Sequence, residues 1–206
     1  MRSRLVVLVV VVLAIGVAAG CGGSSSSAGT SADTATTAFE GGVISPRREA
    51  PPLALKDIDG REVNIRDLRG HPVLVTFVYS HCPDVCPLIM SNLRAVRQRA
   101  GPLGKQMRVI AVSVDPKGDT PEAVRSFLTA RRVSGFVDYL IGSRAQLEPV
   151  WSAWQVGTSV PKNDPELVEH SSLIYGVTSS GELATAYPVG FTPAQIAKDL
   201  PLLNGA

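Results

Sequence analysis

Two cysteines stand four positions apart in Cys82-Pro83-Asp84-Val85-Cys86-Pro87, directly after the apolar run Val73–Val78. Thiolates are soft donors that accept Cu(I), zinc or iron–sulfur clusters, and a thiol pair can also cycle between dithiol and disulfide. Pro87 suits the first turn of a helix, which puts Cys86 at or near the N-cap and Cys82 in the loop before it. Unpaired N–H groups and the positive end of the helix dipole then lower the pKa of both thiols. Three intervening residues leave room for a disulfide or for both sulfurs to face one ion. Two cysteines are too few for a structural zinc site. Two sulfurs and one imidazole make a three-coordinate site suited to copper.

Three histidines are available. His71, in the turn Gly70-His71-Pro72, is expected to be solvated. His81 adjoins Cys82, so its side chain is expected to point elsewhere. His170 precedes the Leu173 strand, and faces the cysteine loop if the two strands are neighbours. Residue type and spacing leave the choice among them open.

The elements that must hold these residues follow from periodicity. Leu53–Lys56, the turn Asp59-Gly60 and Glu62–Ile65 form an N-terminal β-hairpin. Val73–Val78 and Arg108–Val114 are continuous apolar runs, the mark of strands buried on both faces. Leu88–Arg99 has helical spacing, and Thr120-Pro121 caps and opens a helix to about Arg132. Val137–Ile141 is a strand, Gln146–Trp154 a helix, Leu173–Val177 with Leu183–Tyr187 a second hairpin, and Thr192-Pro193 starts a last helix. Strands alternating with helices predict an α/β domain, a central mixed sheet with helices on both faces. Met90, Trp151 and Trp154 are expected in the core. Asp84 serves the cysteine loop or tunes the thiols, and Asp115 and Asp119 shape the next loop and helix start.

Ahead of the domain, Arg2 and Arg4 precede the apolar run Leu5–Ile15, and Ala18-Ala19-Gly20-Cys21 resembles a bacterial lipobox. Residues 1–20 are therefore expected to be a lipoprotein signal peptide and Cys21 the lipidated residue. Gly22–Thr37 is almost wholly Gly, Ser, Ala and Thr, a tether that cannot bury a core. The expected division is residues 21–50 as lipidated tether and 51–206 as folded domain, on the extracytoplasmic face of the cell membrane. With 20 Lys+Arg against 18 Asp+Glu the net charge is +2, and nothing points to nucleic acid. Once Cys21 is assigned to the anchor, only the pair Cys82 and Cys86 remains. A staple across so short a loop removes little chain entropy, so chemistry explains the pair better than stability.

The run Tyr79-Ser80-His81-Cys82-Pro83-Asp84-Val85-Cys86-Pro87, with Ser113-Val114-Asp115-Pro116, Asp119-Thr120-Pro121 and Glu169-His170-Ser171-Ser172, resembles the Sco/SenC family. The resemblance covers about Pro51–Leu203. It implies a thioredoxin-like fold and copper binding, as Cu(I) or Cu(II), through Cys82, Cys86 and His170. It also implies delivery to the dinuclear copper site of cytochrome c oxidase subunit II or a related oxidase, with a copper donor chaperone as a further partner. A second function fits the same residues: a thiol–disulfide oxidoreductase in which Cys82 attacks and Cys86 resolves, reducing the cysteines of the recipient subunit. Peroxide reduction fits poorly, because its nucleophile follows Thr or Ser by three residues and here that residue is Tyr79.

Overall fold

Val73–Val78 forms a strand because six consecutive apolar or β-branched residues have no face to offer to water, and all six are buried. In the computed structural model, residues 38–159 and 168–205 are described. The expected signal peptide, Cys21 and the Gly22–Thr37 stretch lie outside them.

In chain order the elements are β1 (Gly42–Glu49), β2 (Ala54–Asp57), β3 (Glu62–Asn64), β4 (Val73–Val78), α1 (Val85–Arg99), α2 (Gly101–Gln106), β5 (Arg108–Ser113), α3 (Pro121–Arg131), β6 (Val137–Ile141), α4 (Arg144–Ala153), β7 (Thr158–Ser159), β8 (Glu169–His170), β9 (Leu173–Val177), β10 (Glu182–Pro188) and α5 (Pro193–Asn204). The main sheet has the order β1-β10-β9-β4-β5-β6-β2-β3, and β7 pairs with β8 separately. Strands β4, β5 and β6 are parallel, while β9 runs antiparallel to β4.

Alternation along β4 divides the core. Phe77 faces Trp154 and Tyr175, with ring centroids 6.0 and 6.2 Å away, so the end of α4 covers this face. Tyr139 of β6 lies on the opposite face and packs edge-on against Phe127 of α3. Helix α1 joins α3 and packs on α5 on that side. Both faces are thus covered, as expected. Met90, Trp151 and Trp154 are core residues.

The ordered sheet begins before the boundary expected at Pro51. Strand β1 pairs with β10, Phe39 is in the core, and the buried carboxylate of Asp199 accepts the N–H groups of Glu40 and Gly41 and the hydroxyl of Tyr187. A mostly exposed edge strand rich in charge carries no apolar alternation to announce it. Helix α2 was also unexpected, since Gly101, Pro102 and Gly104 read as breakers. Gly104 is required there: a Cβ would stand 2.1 Å from the carbonyl oxygen of Arg97.

Candidate metal centre

Topology decides which loops meet. Because β9 runs antiparallel to β4 with Thr76 opposite Ile174, continuing the register brings Tyr79 and Ser80 level with Ser171 and His170. The cysteine loop leaves the carboxyl end of β4 at the edge where the chain enters β9. A shallow cavity of about 280 Å³ lies between them, lined by Tyr79, Cys82, Pro83, Asp84, Val85, Val168, His170 and Ser172.

Helix α1 starts two residues earlier than a Cys86 cap requires. Asp84 is the N-cap and its side chain makes no capping bond, so Cys86 is the second helical residue. The vacant capping role falls to sulfur: the N–H of Cys86 donates to Cys82 Sγ at 3.4 Å. The two thiols consequently diverge rather than both becoming acidic as expected. Cys82 is held down to about 5, first by the hydrogen bond from the Cys86 thiol, then by the N–H groups of Cys86 and Asp84 and by the Tyr79 hydroxyl, against the cost of burial. Cys86 is pushed upward, because its proton is shared with Cys82 and because it is buried. Both cysteines are free thiols; Cys82 keeps 8% exposure and Cys86 none. In the reduced chain, Cys82 is therefore expected to be alkylated first, its rate rising with pH through a midpoint near 5 and then levelling, while Cys86 stays protected. Iodoacetamide rates against pH, with the modified residue located by mass spectrometry, check this.

Tyr79 was legible only as part of the motif, and its role emerges from the fold. The ring is 2% exposed and meets the His170 ring edge-on, with centroids 6.0 Å apart. Its hydroxyl donates to Cys82 and accepts from the N–H of Val168, and burial foremost pushes its pKa up to about 12. One phenol thus ties the cysteine loop to the histidine loop. A tyrosine ending an otherwise apolar strand just before the thiols was the only signal for it.

His170 lies at the cavity rim. Burial foremost lowers its pKa, so the ring is neutral at neutral pH. Its Nδ1 is 3.1 Å from the carbonyl oxygen of Ser171. A carbonyl only accepts, so Nδ1 carries the proton and Nε2 keeps its lone pair, the tautomer suited to a metal. The other histidines are elsewhere. His81 is exposed and its Nδ1 meets Ser80 Oγ at 3.0 Å. His71 stands before β4, at the strand's opposite end; it is half-buried rather than solvated, and its Nδ1 has no hydrogen-bond partner. Among the described residues, no three His, Cys, Asp or Glu side chains already form a metal-holding group.

Asp119 braces the site from beneath. Its carboxylate accepts from the N–H of Ser80 at 2.7 Å, Ser113 Oγ at 2.6 Å and Tyr139 OH at 2.8 Å. It therefore fixes the start of the cysteine loop to β5 and β6, a larger role than shaping its own loop. Asp115 does shape that loop, accepting the N–H groups of Lys117 and Gly118.

A family model described as SCO1/SenC matches residues 44–203. A Stutzerimonas stutzeri protein named for copper binding is 29% identical over 162 residues, spanning 78% of this chain and 75% of its own. The solved structure of Bradyrhizobium japonicum ScoI with copper bound has a TM-score of 0.67 at 30% identity, spanning 76% of this chain and 99% of its own. The structure of BsSco, described as a member of the Sco family of cytochrome c oxidase assembly proteins with an identified disulfide switch, has a TM-score of 0.65 at 23% identity, spanning 79% and 98%. At that identity it speaks for the fold alone. The match takes in almost the whole of the solved Bradyrhizobium chain.

Proposed function

The chain belongs to the SCO1/SenC family, and from that premise we propose that it is a membrane-tethered copper metallochaperone. Its cargo is held by the sulfurs of Cys82 and Cys86 and by Nε2 of His170. Residues 1–20 act as the export signal, Cys21 carries the lipid, and the segment from there to β1 is the tether. The recipient is a respiratory oxidase, at the dinuclear copper site of cytochrome c oxidase subunit II.

The observation that supports this most is the convergence of Cys82 and His170 on one cavity, from loops nearly ninety residues apart in sequence. The histidine tautomer and the acidic Cys82 thiol suit the same cargo. An open, shallow cavity suits a carrier, which must release copper as readily as it takes it. The test is copper stoichiometry and affinity on the reduced segment 38–206. One Cu(I) per chain is expected, with binding lost in Cys82→Ser/Cys86→Ser. Stoichiometric binding that survives the double substitution overturns the assignment.

One observation favours a second function, the division of labour between the thiols. The Cys82 thiolate, the less buried of the two, attacks a disulfide of the recipient, forming a mixed disulfide and expelling one recipient thiolate. Cys86 then loses its proton and attacks Cys82 Sγ. That expels the second recipient thiol and leaves a Cys82–Cys86 disulfide, two electrons having passed to the recipient. Such exchange does not require His170, whereas the copper site does.

A further inference from the structure

Between Asp84 and Asp115 the chain contains no acidic residue, yet it carries Arg94, Arg97, Arg99, Lys105 and Arg108. In a chain whose net charge is only +2 this is a strong local asymmetry. The fold concentrates it. Arg94 and Arg97 lie late on α1, Lys105 lies on α2, and Arg132 follows α3; together with Phe136 they line a shallow cavity of about 430 Å³ that contains no carboxylate.

Among the described residues, none of these four cations is ion-paired. Arg97 forms a fixed floor: its guanidinium donates to the carbonyls of Gly104 and Lys105, at 3.1 and 3.4 Å, and stacks 4.9 Å from the Phe136 centroid. Arg132 takes the left-handed conformation, φ 56°, that ends α3, and its exposed side chain joins the same cavity.

We infer that this patch docks the domain on the headgroup phosphates of an anionic lipid bilayer. The charged groups of Arg94, Lys105 and Arg132, none of them in an ion pair among the described residues, match phosphate oxygens, and arginine does so with two parallel bonds. The distance disfavours the copper recipient as occupant. Arg94 and Arg97 lie eight and eleven residues after Cys86 on helix α1, about 12 and 16 Å along its axis at 1.5 Å per residue. A bilayer held there leaves the cysteine cavity facing away from the membrane, free for partners. The inference rests on the membrane-tethered reading for its biological setting, but the patch itself is tested without the tether.

The test is co-sedimentation of the segment 38–206 with phosphatidylcholine vesicles, with and without a one-third share of phosphatidylglycerol. Binding is expected to the anionic vesicles alone and to be reversed by high salt. Arg94→Gln, Lys105→Gln and Arg132→Asn together are expected to weaken it about a hundredfold, at about fivefold per cation, with copper affinity and thermal unfolding unchanged. Equal binding to neutral vesicles, or full binding by the triple variant, overturns the inference. Absence of vesicle binding, with salt-sensitive binding to polyglutamate instead, overturns it in favour of an acidic protein partner. Lipid on Cys21, read by mass spectrometry of the membrane-extracted full chain, is scored separately, so failure of the anchor and failure of the patch are distinguishable.

Discussion

Replacing His170 by alanine is expected to lower Cu(I) affinity by about a hundredfold or more while leaving the fold in place. Losing a group that merely orients a metal ligand typically costs ten- to a hundredfold, and losing a ligand costs at least as much. The fold should tolerate the change. His170 lies on a two-residue strand at the cavity rim, and its ring contacts are the edge of Tyr79 and the Ser171 carbonyl. Such an aromatic contact is worth about 1 kcal/mol, a small part of the stability of a domain this size. Competition with a chromophoric Cu(I) chelator gives the affinity, and a thermal melt gives the stability. His81→Ala is the matched control, since His81 adjoins Cys82 in sequence but turns to Ser80. It should bind copper as the parent does. Affinity in His170→Ala within a factor of about three of the parent would remove His170 from the copper site and leave the thiol-exchange function as the better account.

Replacing Asp119 by alanine is expected to be the most damaging polar substitution near the site, at about 3–5 kcal/mol of unfolding free energy. The carboxylate is 4% exposed and receives the Ser80 N–H, Ser113 Oγ and Tyr139 OH. Alanine strands all three donors, two of them on buried side chains. Asp119→Asn should recover part of the loss, because its amide oxygen can still accept from Ser80. The pH dependence distinguishes the two carboxylate states. Burial foremost raises the Asp119 pKa above its ordinary 3.8. A raised pKa means that the folded state holds the proton more tightly. That contribution is complete below 3.8 and is lost as pH climbs through the raised value. The advantage of the parent over Asp119→Asn should therefore shrink as pH rises across that window, as measured by urea unfolding at each pH. An alanine variant within 1 kcal/mol of the parent would mean that the brace is not structural.

Strands β4, β5, β6 and β9 were legible almost to the residue, because strands buried over most of their length are predominantly apolar. Strand β1 was not. Its sequence Pro46-Arg47-Arg48-Glu49 suits a solvated edge, and only its pairing to β10, well over a hundred residues on, makes it a strand. The cysteine pair announced itself by residue type and spacing, and His170 through the resemblance. What could not be read was how the thiols differ. That depends on which atom takes the N–H of Cys86 at the start of α1, and spacing that puts Cys86 near the N-cap does not show that the sulfur of Cys82 accepts it. Tyr79 was equally hidden. Its hydroxyl matters only because the antiparallel path of β9 brings Val168 and His170 to it.

The one-sided exposure of the thiol pair has a kinetic consequence. Cys86 is sealed beneath Cys82, and Cys82 reaches solvent at the shallow cavity that it lines with His170. Anything that loads the site and anything that unloads it must use the same doorway. If the site carries copper as proposed, the two cannot be seated together, and transfer would run as a relay in which the first visitor departs before the second arrives. Initial rates measured across donor and recipient concentrations would then give the parallel double-reciprocal lines of a substituted-carrier scheme, not the converging lines of a three-body complex.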